Sequence, residues 1–112
     1  VLCHVSAIMR REIREGVDWV VRYGGEEFVL VLPGTDQDQA VGTAERVRTA
    51  IAAEPLHVRG QDIRVTCSFG VAQYQAGEPN TAWLERVDKC LYSAKQSGRN
   101  RVRAWDERDI QI

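Results

Sequence analysis

Two lysines, three cysteines and no apolar run of membrane-spanning length set the first limits on this chain. A spanning helix needs roughly 18 or more apolar residues in a row, and charged residues interrupt every hydrophobic stretch well before that. Cys3, Cys67 and Cys90 are odd in number, far apart, and without the paired spacing of metal ligands. Buried thiols in a reducing cytoplasm are expected of them, rather than a disulfide or a metal site. Charge of one sign is also lacking. Fifteen Lys and Arg face sixteen Asp and Glu, for a net −1 and a pI of about 6.1. No global pull toward nucleic acid or an anionic membrane follows from that balance, so any anion binding must come from a local cluster. Internal repeats and low-complexity tracts are missing too.

What is there fits a single domain over residues 1–112, with 44% hydrophobic and 28% charged residues, as in soluble globular proteins. A chain of this length buries roughly 60–70% of its unfolded surface, enough for one core. The sequence opens inside a helical pattern, Leu2, Val5, Met9 and Ile13, with no N-cap ahead of it. That is expected of a segment cut from a longer chain. This first helix is predicted to reach about Glu15, with Gly16 as its stop. Val17, Trp19, Val21 and Tyr23 then alternate with Asp18, Val20 and Arg22, predicting a strand with its odd-numbered face the more buried. Gly24-Gly25 is a hairpin signal, since paired positive φ angles suit glycine. Phe28–Leu32 is apolar throughout and predicts a central strand covered on both faces.

Pro33-Gly34 ends that strand, and Thr35 or Asp36 is placed to cap a second helix with the stripe Ala40, Ala44, Val47, Ile51. Pro55 closes it. Leu56–Arg59 and Ile63–Tyr74 read as a hairpin around Gly60-Gln61, with Ile63, Val65, Cys67, Phe69 and Val71 on one face of the longer arm. After the loop Gly77-Glu78-Pro79, Asn80 or Thr81 caps a third helix with the stripe Leu84, Val87, Leu91, Ala94, ended by Ser97-Gly98. Arg101–Trp105 is the last strand. The predicted order is α-β-β-α-β-β-α-β, an α/β sheet with packed helices.

Two clusters carry chemistry. In Arg22-Tyr23-Gly24-Gly25-Glu26-Glu27-Phe28 a glycine bend presents two adjacent carboxylates at the mouth of the apolar strand. Successive strand residues point to opposite faces, so the two acids do not both bind one ion from one side. Apolar surroundings raise carboxyl pKa values unless a cation compensates, and Mg²⁺ held by one or two carboxylates and substrate phosphates is the natural partner. The plain alternative is a hairpin tip with solvated acids. The second cluster surrounds the end of the third helix, where Lys89, Lys95, Arg99 and Arg101 gather. Lys95 and Arg99, four residues apart, are near enough on a last helical turn to converge on one anion. The alternative is that these cations simply meet the negative end of the helix dipole. Taken together, acids on one side and a Lys/Arg pair on the other are the parts of a phosphoryl-transfer site.

These motifs resemble the GGDEF family, the diguanylate cyclases. Arg22–Phe28 reads as the signature loop in its Glu variant, GGEEF. Leu32-Pro33-Gly34-Thr35 follows as in family members, Ser68-Phe69-Gly70-Val71-Ala72 matches a Ser-x-Gly-Val-Ala strand, and Asp88 to Asn100 matches the closing helix, with Leu91, Tyr92, Ala94, Lys95, Gly98 and Arg99 in place. The resemblance covers essentially the whole chain. It implies a palm-like, ferredoxin-like α/β sheet related to nucleotide cyclases. It also implies condensation of two GTP, one per protomer of a homodimer, into cyclic di-GMP and two pyrophosphates, with two Mg²⁺ or Mn²⁺ ions per active site. By position, Glu26 is then the metal ligand and proton acceptor, and Glu27 is the second motif acid. Gly24 and Gly25 allow close approach of the substrate, and Lys95 with Arg99 hold the triphosphate.

Two departures stand out. The family's first strand, with an Asp metal ligand in an Asp-x-Asp-x-Phe-Lys run, and the Asn and Asp positions that read guanine have no match ahead of Gly24. The domain is therefore expected to be N-terminally incomplete, with its first strand missing, and residues 1–112 alone are expected to be inactive. The second departure is the family's product-inhibition motif, Arg-x-x-Asp. That frame reads Glu15-Gly16-Val17-Asp18 here, with Arg14 one position early. The primary inhibitory site is expected to be absent, leaving Glu15 and Asp18 in a solvated turn. The resemblance further implies an N-terminal sensor or regulatory domain outside this stretch. It implies a cytoplasmic place of action, compatible with a membrane-anchored parent, and no nucleic-acid or membrane contact by the domain itself. The alternative function is a degenerate GGDEF module that serves nucleotide binding, regulation or dimerisation without turnover.

Overall fold

The computed structural model describes residues 2–24 and 27–106. The elements run α1 (Leu2–Glu12), β1 (Trp19–Gly24), β2 (Glu27–Val31), α2 (Gln37–Ala53), β3 (Leu56–Val58), β4 (Gln61–Ile63), β5 (Phe69–Val71), α3 (Asn80–Gln96) and β6 (Val102–Ala104). Helix α1 stops at Glu12, short of the expected Glu15, because the Arg14 N–H donates to the Asp18 carboxylate (2.9 Å) instead of to the helix. Gly16, at φ 77°, completes the turn that follows. Asp18 is not solvated as expected. It is buried, and the Arg14 guanidinium grips it at 2.6 Å and 3.0 Å while also donating to Pro33 O and Thr35 Oγ1. That grip holds the Asp18 carboxyl below the usual carboxylate range.

Strands β1 and β2 form an antiparallel ribbon in which Trp19 faces Val31 and Val21 faces Val29; the register slips by one between Arg22 and Gly24, which pairs with Glu27. The buried face of β1 is the reverse of the expected one. Val20, Phe28 and Leu30 pack on the core of Val5, Ile8, Met9, Val47 and Ile51, whereas Val17, Trp19 and Val21 are 44%, 62% and 45% exposed. Helices α1 and α2 supply that core, and so decide which face is inside. Phe28–Leu32 is half-buried rather than covered on both faces, and among the described residues β2 pairs with β1 alone.

Asp36 is the cap of α2. Its carboxylate accepts from Gln39 N (2.8 Å), and the Gln39 amide oxygen accepts from Asp36 N (3.1 Å). Ala44, Val47 and Ile51 are buried along the expected stripe. The next hairpin turns at Arg59-Gly60, both at positive φ, one residue earlier than expected. Its long second arm is two strands, not one. β4 pairs back onto β3, and the chain changes partners after Ile63, so that β5 runs parallel to β6. Ile63 is consequently exposed, while Val65, Cys67 and Phe69 pack on the core. Helix α3 begins at Asn80 behind Pro79 as cap, with no side-chain cap bond, so neither Asn80 nor Thr81 has that role.

Phe69 points to the α1/α2 core, and its neighbour Gly70 lies against the α3 backbone at Val87 and Leu91. Successive strand residues face opposite ways, so α2 and α3 sandwich β5 and β6. No disulfide joins the three cysteines, and burial pushes the Cys67 thiol above its ordinary pKa. Among the described residues no helix is long and apolar enough to cross a membrane.

Candidate functional site

The split sheet leaves a slot of about 1100 Å³ between β2 and β5, walled by Phe28, Leu30, Phe69, Leu84 and Leu91. Lys95 and Arg99 border the same slot. The carboxylate bend stands at the end of the β1–β2 ribbon. Gly24 closes β1 and Glu27 opens β2, directly paired, so the hairpin itself is present. Gly24, expected in a two-residue turn with Gly25, is instead the last residue of β1, and Gly25 and Glu26 lie outside the described residues.

The cation pair arises differently from the expected helical spacing. Lys95 is on the last turn of α3, but the helix ends at Gln96 with Ser97 as its C-cap, and Arg99 lies beyond it. The chain turns back after Gly98 (φ 124°) through two non-glycine residues in left-handed backbone, Arg99 (φ 60°) and Asn100 (φ 46°). The Arg99 N–H donates to Ala94 O at 3.0 Å, hooking the turn to the helix end. Both side chains are exposed, and among the described residues neither makes an ion pair. Arg11, Arg14, Arg46, Arg48 and Arg86, by contrast, all engage carboxylates.

Sequence reasoning assigned no role to the groups that brace this turn. The Asn100 N–H donates to Ser68 Oγ (3.0 Å), and Arg48 Nη1 donates to Asn100 Oδ1 (3.0 Å). The signal was an asparagine after Gly98-Arg99, since asparagine tolerates left-handed backbone better than most residues. No group of three or more His, Cys, Asp or Glu suited to a metal occurs among the described residues. Carboxylate oxygens are the donors that hard divalent cations prefer, and the side chains of Glu26 and Glu27 lie outside the described residues.

Paired strands packed against helices, and two cations beside one slot that make no ion pair among the described residues, define a domain of the nucleotide-cyclase palm type. The sequence profile described as "Diguanylate cyclase, GGDEF domain" matches residues 1–101, and the chain belongs to the GGDEF family. It is 40% identical over 102 residues to the diguanylate cyclase DgcP of Pseudomonas aeruginosa, covering 91% of this chain and 15% of that protein. Diguanylate cyclase SiaD of P. aeruginosa, solved in complex with its activator SiaC, superposes with a TM-score of 0.87 at 36% identity, over 92% of this chain and 39% of SiaD. The active GGEEF domain of a diguanylate cyclase from Vibrio cholerae gives a TM-score of 0.80 at 31% identity, over 95% of this chain and 67% of that one. The chain thus spans well under half the length of DgcP and SiaD.

Proposed function

We propose that this domain, in its intact parent protein, condenses two GTP into cyclic di-GMP. Each ribose 3′-oxygen forms a bond to the α-phosphorus of the other nucleotide, the bond from that phosphorus to the β-phosphate bridging oxygen breaks, and pyrophosphate leaves. Two nucleotides must meet, so the reaction runs across a homodimer. The observation that carries this reading is the place of Lys95 and Arg99, both exposed at the border of the slot and, among the described residues, in no ion pair.

In this reading Lys95 and Arg99 hold the triphosphate and offset charge that grows on the leaving pyrophosphate. Gly24 and Gly25 let the nucleotide approach the ribbon backbone. Glu26 binds a divalent cation and accepts the 3′-hydroxyl proton, with Glu27 beside it. Divalent-metal dependence goes with the family; two Mg²⁺ or Mn²⁺ ions per site are the proposal, and when bound they polarise the phosphoryl oxygens and neutralise charge. The slot between β2 and β5 takes one further strand in the intact domain, bringing the rest of the metal ligands. The unpaired strand edges among the described residues support this, since such edges seek a partner. Residues 1–112 by themselves are then inactive. A regulatory domain or partner sets activity, and GTP supply and cysteines without disulfides fit the cytoplasm as the place of action.

The test is GTP turnover by the intact protein. Glu26→Gln should lower turnover by about 100-fold or more, as loss of a metal ligand does. Lys95→Ala should lower kcat/KM by about 10- to 150-fold, the worth of one charge-assisted contact, with little change in Tm. Activity of Glu26→Gln within about tenfold of the parent would overturn the assignment.

A further inference from the structure

We propose that Glu45, Arg48, Ser68 and Asn100 form a positioning network that sets the backbone of Arg99 and, through it, the grip on the triphosphate. The inference rests on the reading of Arg99 given above. Arg99 and Asn100 are consecutive non-glycine residues at φ 60° and 46°. Left-handed backbone is unfavourable for L-residues and normally occurs one residue at a time, most often at glycine or asparagine. Such a turn persists only where its surroundings hold it.

The anchors come from three elements. Helix α3 accepts the Arg99 N–H at Ala94 O (3.0 Å), and Ser68, just ahead of β5, accepts the Asn100 N–H at its Oγ (3.0 Å). From α2, Arg48 reaches across to Asn100 Oδ1 (3.0 Å) and to its carbonyl oxygen (3.4 Å). Arg48 is itself fixed by a two-point fork on Glu45, Nε to Oε1 at 3.2 Å and Nη2 to Oε2 at 2.9 Å. A planar fork of this kind holds the guanidinium in one orientation, which a lysine does not reproduce. Arg101 folds back beneath, its Nε donating to Arg99 O at 3.1 Å. Every anchor falls on the backbone of the turn or on Asn100, and among the described residues the Arg99 side chain, at the border of the slot, makes no ion pair. The arrangement orients a cation, which a turn serving only to connect α3 to β6 does not require.

The experiment is a double-mutant cycle on the intact protein, titrated calorimetrically with a non-hydrolysable GTP analogue and Mg²⁺. Arg99→Ala should weaken binding by about 10- to 150-fold. Arg48→Ala and Ser68→Ala should each weaken it by about tenfold, a part of the Arg99 contribution. Combined with Arg99→Ala, either should add less than about twofold, because each acts through Arg99. Ser68→Thr, which keeps the acceptor oxygen, should bind within about twofold of the parent. If Arg48→Ala and Ser68→Ala weaken binding equally with and without Arg99, the network is a general brace and the inference fails. Unchanged affinity in Arg99→Ala would instead overturn the triphosphate reading itself, and the inference with it. Should Arg48→Ala not fold, the Ser68 pair of variants decides alone.

Discussion

Gly70 is where the packing of this domain is least forgiving. A Cβ there would lie 2.4 Å from Leu91 N, 2.4 Å from Val87 O and 3.0 Å from Cys90 C. All three are backbone atoms inside α3, so no side chain can swing aside. Restoring an ordinary contact of 3.4 Å requires α3 to retreat from β5 by about 1 Å. Overpacking of this sort costs about 1–3 kcal/mol, and two rigid backbones place Gly70→Ala near the upper figure. At about 4 °C per kcal/mol for a domain of this size, Tm should fall by about 12 °C. Gly42 supplies the control, because it lies exposed in the interior of α2 with nothing within 4 Å of an added Cβ. Gly42→Ala removes a helix penalty and should stabilise by about 0.5–1 kcal/mol, raising Tm by about 2–4 °C. Thermal melts followed by circular dichroism distinguish these opposite signs. A Gly70→Ala protein melting within about 2 °C of the parent would refute the close-approach argument.

Two further outcomes follow from the turn after α1. Asp18 has its pKa depressed by Arg14, so its stabilising contribution is present above the unfolded value of about 3.9 and is lost as pH falls through the lower folded value. Asp18→Asn should cost about 1–2 kcal/mol at pH 7 in urea unfolding, with the difference from the parent shrinking near pH 3; an equal difference at both pH values would refute the linkage. Because Asp18, Pro33 O and Thr35 engage the Arg14 guanidinium, it is not available to clamp a dinucleotide. The parent should then show no tight cyclic di-GMP binding apart from the GTP site. Calorimetry that finds tight binding away from that site in the unmodified protein would overturn the assignment.

Where a local rule governs, the sequence was a sufficient guide. The Asp36 cap and the α2 stripe of Ala44, Val47 and Ile51 depend on residues a few positions apart. The family motifs were readable for the same reason, as short runs with fixed spacing. Misreadings occurred where local pattern left a symmetric choice. Val17, Trp19 and Val21 alternate as regularly as their even-numbered neighbours, and only the position of α1 and α2 makes Val20 the inward residue. The early end of α1 depends on a side chain four residues ahead that competes for one backbone N–H.

By itself, then, the sequence determined the family and the order of the helices. Those are properties of contiguous residues, encoded in periodicity, capping and motif spacing. Tertiary structure alone decided that the run after Ile63 divides between a hairpin with β3 and a parallel pairing with β6, since strand partners are chosen over long sequence distances. It also moved Arg99 off the helix into a left-handed turn, held by Ser68 from 32 residues and Arg48 from 52 residues before Asn100. Hydrogen bonds across such separations exist only once the chain has folded, and no spacing rule along the sequence anticipates them.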